Sequence, residues 1–137
     1  MITNYDIDRK LYRLIKEAVA NGTIPITGGV WNGDRPLNSD GEDITVRTMS
    51  VNGDGYEQTT TMNVNVYVPD IAEDHGGFVR NGRRLSELAN AVTDFIENII
   101  IVNVNVLMEA MTEMAEKDIR QHYINFRVRI DVYADMD

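Results

Sequence analysis

One segment constrains this fold more than any other: Glu42 to Asp70, EDITVRTMSVNGDGYEQTTTMNVNVYVPD. It reads as a long β-hairpin. Asn52-Gly53 and Asp54-Gly55 stand between two alternating runs, and residues tolerant of positive φ are what a tight hairpin turn requires. In the second run Met62, Val64, Val66 and Val68 fall on one side, and Asn63, Asn65 and Tyr67 on the other. Pro69 closes that strand, because it has no N–H to give to a ladder. The strands are expected near 43–51 and 57–68. A hairpin with one apolar face needs a layer to bury it, so the chain is expected to be an α+β domain.

The covering layer comes from two amphipathic segments. Ile7, Leu11, Leu14, Ile15 and Ala18 recur at helical spacing over Thr3–Ala20. Thr3 is placed to cap this helix, Asp6 and Asp8 suit the positive end of its dipole, and Asn21-Gly22 stops it. Leu85, Leu88, Ala89, Val92, Phe95, Ile96 and Ile99 define a second helix over Arg83–Asn98. Arg83 and Arg84 fall in its first turn, the wrong end for cations on dipole grounds. They read either as solvated side chains or as groups that meet an acidic partner.

The remaining segments read as strands and loops. Ile24–Asn32 is a short strand with Pro25 near its start, and Gly28-Gly29 suggests a bulge or a close backbone approach. Gly33–Gly41 and Asp70–Gly82 are loops by composition, and the second is long for a compact domain, at about a dozen residues. Such loops are expected to be mobile. Phe78 and Val79 within it suggest an anchor. Ile100–Val106 and Tyr123–Tyr133 alternate again, with Ile124, Phe126, Val128, Ile130 and Val132 toward the core. The segment 108–118 favours helix by residue type but also alternates. A hairpin of about residues 100–117 with 122–133 is the preferred reading, with a short helix in the middle as the alternative. The expected order is α-β-β-β-α-β-β: two helices on one face of a mainly antiparallel sheet, in one domain spanning 1–137.

Length fits one domain of 137 residues. No apolar run approaches the roughly 18 residues that span a bilayer, and the N-terminus lacks the basic-then-apolar order of a secretory signal. No membrane partner is expected, and the chain is expected to work in the compartment where it is made. Cysteine is absent, which excludes disulfides and thiolate metal sites. The net charge of −9 argues against sequence-independent DNA or RNA binding, which rests on phosphate neutralisation by cations; no sequence-specific nucleic-acid partner is expected either, and the charge reads most simply as keeping a small protein soluble.

Templates for chemistry fail. Gly28-Gly29 and Gly76-Gly77 lack the spacing of dinucleotide or phosphate loops. His75 and His122 stand without a spacing motif. Asp34, Asn38, Asp40, Glu42 and Asp43 offer oxygen ligands but not in EF-hand order, and turn formation accounts for them more simply. No enzyme activity, cofactor or metal is expected. What stands out is the outward side of the strands: Asn63, Asn65, Tyr67, Asn103, Asn105, Asn125, Arg127, Arg129 and Tyr133. Asn is depleted in strands, whereas Tyr and Arg are favoured at interfaces. This face reads either as a wet sheet surface or as a subunit interface. Interface candidates are Tyr67, Arg127 and Arg129 with Arg83 and Arg84, matched by Asp40, Glu42 and Asp43 on a neighbour.

The order of these segments resembles the tail-terminator, or tail-completion, proteins of long-tailed bacteriophages and prophages. A first helix leads to ITGGVWNGDRPLNSDGEDI, NVNVYVPD ends a long hairpin, the helix RRLSELANAVTDFIENI follows, and HYINFRVRIDVY closes the chain. The resemblance implies a homo-oligomeric ring, usually a hexamer, that caps the tail tube and joins tail to head. It implies a place in the tail or neck of a virion assembled in the bacterial cytoplasm, with the tube protein and head-connector proteins as partners. It implies neither catalysis nor cofactor, and the acidic charge of the chain fits a lumen through which DNA must slide without sticking. A different head–tail neck or adaptor component, and an unrelated soluble α+β binding module, are the alternatives.

Overall fold

The structure is a computed structural model that describes residues 4–53 and 58–133. Helix α1, Asn4–Ala20, is followed by strands β1 (Val30–Asn32), β2 (Ile44–Gly53) and β3 (Gln58–Pro69), a pair of two-residue strands β4 (Ile71–Ala72) and β5 (Phe78–Val79), helix α2 (Gly82–Glu97), and strands β6 (Val104–Glu116) and β7 (Gln121–Val132). The five-stranded sheet runs β1-β2-β3-β7-β6. It is mixed: β1 pairs parallel to β2, and every other pairing in it is antiparallel. The expected Thr3 cap and the Asp54-Gly55 turn lie outside the described residues. Asn52 and Gly53 belong to the ladder itself, opposite Thr59 and Gln58.

Both helices cover one face of the sheet. Ile7, Leu11, Ile15 and Ala18 of α1, and Leu85, Leu88, Val92 and Ile96 of α2, share one core with Val46, Met62, Val64, Val66, Phe126 and Val128. α1 lies over the β1–β2 end and α2 over β3, β7 and β6. Asn81 caps α2, its side chain accepting from the Arg84 N–H at 3.2 Å. The interior positions of β3 and β7 alternate as the residues dictate, so burial here follows the period of two directly.

Three segments depart from the sequence reading. The strand expected over Ile24–Asn32 shrinks to Val30–Asn32. Upstream of it the chain is tied irregularly, with Ile24 N–H on the Ala18 carbonyl and Gly28 N–H on the Glu42 carbonyl. Ile100–Asn103 is not strand: Asn103 takes a left-handed φ of 62°, which Asn tolerates, and β6 begins one residue later. Asn103 therefore leaves the outward set, and Ile100 and Val102 stand 94% and 82% exposed. The 108–118 segment resolves as strand to Glu116, followed by a 3-10 turn, Lys117–Ile119.

Register shifts explain the ambiguity of that segment. Between Met108 and Ala110 the ladder with β7 skips Glu109. A bulge of this kind reverses which side chains face the helices. Met108 sits on the helix side opposite Val128, yet beyond the bulge Met111 and Glu113 take that side, opposite Phe126 and Ile124. A second shift between Thr48 and Ser50 does the same in β2, moving Val51 into register with Thr60.

Candidate functional site

Of the residues singled out above, the sheet face away from the helices carries Asn63, Asn65, Tyr67, Asn125, Arg127 and Arg129. Gly28 allows its construction. A Cβ there would overlap Asp43 Oδ1 and lie 2.6 Å from the Glu42 carbonyl oxygen, so only glycine lets the chain run this close to Glu42-Asp43. The loop of residues 33–43 then crosses the open face and makes the parallel β1–β2 pairing possible.

Asp43 organises the corner. Its side chain is within reach of the Gly29 N–H at 2.9 Å and the Trp31 indole N–H at 3.4 Å, and it also accepts from the Ser39 hydroxyl. The Arg35 guanidinium lies 3.2 Å away, and Asp43 is 2% exposed. Arg35 also donates to Gln121 Oε1 at 2.8 Å and to the Ser39 carbonyl at 2.6 Å, and Gln121 donates to the same carbonyl. The guanidinium lies 4.2 Å from the Tyr67 ring centre, and Tyr67 packs against Tyr123 at 4.9 Å. Burial raises the Tyr123 phenol above its ordinary value, and the nearby Tyr67 acts in the same direction. The buried carboxylate is thus paired and hydrogen-bonded on every side, as a buried charge must be.

Glu42 points the other way, to α2. Its carboxylate is 2.6 Å from Arg84 Nε and 2.8 Å from Arg84 Nη2, a two-pronged pair, and it accepts from the Thr27 N–H at 3.2 Å. Arg84 also donates to Glu87 at 3.0 Å and to the Pro25 carbonyl. The hydrogen bond to Glu42 raises the Arg84 pKa, against an opposing effect of burial. The hydrogen bond from Arg84, then that from Arg83, holds the Glu87 carboxyl below its usual range.

This geometry redistributes the candidate interface residues. Arg84 pairs with Glu42 of its own chain, which also answers the misplaced cation in the first turn of α2. Asp43 pairs with Arg35, and Arg129 with Asp131 at 2.9 Å; in Arg129 that hydrogen bond raises the pKa. These carboxylates are occupied within the subunit instead of waiting for a neighbour. Tyr67 is half-buried between Arg35 and Tyr123. Arg83, Arg127 and Asp40 remain exposed, Arg83 with Glu87 at 3.1 Å. The asparagines form a ladder, the Asn125 amide donating to Asn63 at 3.1 Å and Asn65 at 2.7 Å. Sequence reasoning missed Arg35 and Gln121; nothing in their local pattern signals a role, since they meet only through the fold.

A groove of about 500 Å³ opens between the crossing loop and the sheet, lined by Arg35, Leu37, Arg47, Asn63, Asn65 and Tyr67. The loop 70–82 is also more built than its composition suggests. Its two short strands form a small hairpin, Phe78 lies under the Arg120 guanidinium at 4.1 Å, Arg80 pairs with Glu113, and Asp70 lies 2.7 Å from His122 Nδ1. Among the described residues no group of His, Asp and Glu is arranged to hold a metal ion, and no helix is long and apolar enough to cross a membrane.

No family model and no curated protein matches this sequence. A solved structure does match the fold: a chain from the virion of a native gene transfer agent particle, with a TM-score of 0.60 and 14% identity, over 92% of this chain and 93% of that one. At that identity the likeness is one of fold, and it runs nearly end to end.

Proposed function

We propose that this chain is a structural component of a phage-like virion, and within the virion the tail terminator, a ring that caps the tail tube and joins tail to head. The observation that carries the reading is the nearly full-length likeness to a chain of a gene transfer agent virion, joined to the segment order described above. The protein acts by assembly instead of catalysis, and it needs no cofactor. Its partners are further copies of itself in a closed ring, most simply a hexamer, together with the tube protein and the head connector. A head-to-tail contact repeated around a rotation axis closes such a ring. The net charge of −9 suits a passage for DNA, because it repels phosphate.

The test is removal of the protein from an assembling system, followed by electron microscopy of the particles. Tails of irregular length that fail to join heads are the expected result. Tails of normal length left unjoined would move the protein to another position in the neck. Normal tails joined to heads in its absence would remove the reading.

A further inference from the structure

Strand β6 forms one edge of the sheet. From Glu109 through Arg120 every residue is exposed; on the helix side Met111 and Glu113 line a groove with the start of α2, where Arg80 pairs with Glu113, and the opposite side, with Met114 and Glu116, is open. The outer half of this edge strand carries Met111 and Met114, 57% and 43% exposed, among Glu109, Glu113 and Glu116. Edges of this length are usually blunted by charge and bulges, because they otherwise recruit other chains. The bulge at Glu109 and these glutamates do so here, and they also give the edge a distinct chemistry: apolar side chains between carboxylates.

The complement lies on the same molecule. α1 covers the opposite, β1–β2 end of the sheet, and its outward face presents Arg9, Lys10, Arg13 and Lys16. Asp6 and Glu17 flank this stripe. Among the described residues Arg9, Lys10 and Arg13 have no carboxylate at ion-pair distance. A cleft of about 350 Å³ lies along them, lined by Asp6, Arg9, Lys10, Arg13 and Leu14: basic walls with an aliphatic floor. In a chain with 13 Lys and Arg against 22 Asp and Glu, Arg9, Lys10 and Arg13 at one end of the sheet and Glu109 and Glu116 at the other, all without an ion pair among the described residues, make a complementary pair of surfaces; Glu113 is already held by Arg80.

We propose that the outer half of β6 docks on the α1 cleft of a second copy, with Met114 toward Leu14 and Glu109 and Glu116 toward Arg9 and Arg13. The contact is heterologous, because the two surfaces belong to opposite ends of the sheet, and it therefore propagates into a ring or a filament. The inference rests on the ring reading above and specifies its subunit contact.

The absence of cysteine makes a direct test clean. A chain carrying Glu116→Cys and Arg13→Cys, treated with a short bismaleimide under assembling conditions, should give a ladder of covalent multimers, and neither single variant should give more than a dimer. In parallel, Glu109→Lys with Glu116→Lys, and separately Arg9→Glu with Arg13→Glu, should each raise the concentration for half-assembly by about ten-fold or more in sedimentation velocity. All four reversals in one chain should restore it. Each substituted position is exposed, and unchanged melting will show that the subunit is intact. Association of the reversal variants equal to that of the unmodified chain, with no ladder, overturns this contact and leaves the ring standing. An unmodified chain that associates neither in solution nor on tail ends overturns both.

Discussion

At the residue scale, buried polar atoms decide more than surface ones. Asp43, itself shut off from water, holds Arg35 and two N–H donors. Asp43→Ala leaves the guanidinium without its counter-charge, and the expected loss is about 3–5 kcal/mol. Urea unfolding measures it, and Trp31, whose indole faces Asp43, should shift its emission even in the folded variant. Thr60 behaves oppositely. Its hydroxyl is buried with no hydrogen-bond partner among the described residues, on the core side opposite Val51 and Ile130. Thr60→Val removes that orphan at nearly constant volume and should stabilise by about 1 kcal/mol, since leaving a buried donor unpaired costs that much or more. Tyr123 supplies a pH dependence. Its folded pKa is raised above the model-peptide value of 10.0, so its contribution to stability is full below pH 10 and falls as the pH rises through the folded value. Tyr123→Phe should therefore flatten the loss of stability with pH above 10, and denaturation series at alkaline pH will show whether it does.

At the element scale, the strands that alternate cleanly are the ones legible in the sequence. Spacing alone puts Val66 and Val128 in the core, and the structure buries both completely. Val66→Asp or Val128→Asp puts an unpaired charge under the helices, at several kcal/mol; either variant melting like the unsubstituted chain would contradict the core described here. Where the pattern failed, a local exception had reset the count. The bulge at Glu109 makes 108–116 satisfy neither a strand nor a helix template throughout, because its two halves present opposite faces. Asn103 read as one more strand asparagine, yet its left-handed backbone turns the chain out of the sheet. The candidate site was legible in kind but not in pairing. The sequence reading offers Arg84, Glu42 and Asp43 for contacts with a neighbouring subunit, whereas the structure pairs each of them within the chain. Their partners lie 42 residues away for Glu42–Arg84 and within the crossing loop for Asp43, distances that periodicity does not encode. The Glu42–Arg84 pair predicts its own measurement: a double-mutant cycle with Glu42→Gln and Arg84→Gln should give a coupling of about 1–2 kcal/mol, because the pair is two-pronged and mostly shielded from solvent.

At the scale of the whole molecule, two helices close one side of the sheet and leave the other side polar, self-bonded and open. The division separates the labours of the chain: the helix side holds the fold, while the open face, the crossing loop and the outer half of β6 are free to meet other proteins. The central strand pair carries a further consequence. β3 and β7 lie side by side at the middle of the sheet, with Gln58 opposite Val132 and Pro69 opposite Gln121. On the ribosome, β3 emerges long before its partner exists. A nascent chain that ends before Gln121 holds β2 and β3 as a hairpin with one raw edge, and helix α2 has little more than half a sheet to rest upon. Closure waits for β7, so the subunit becomes competent to assemble only once that strand has been made.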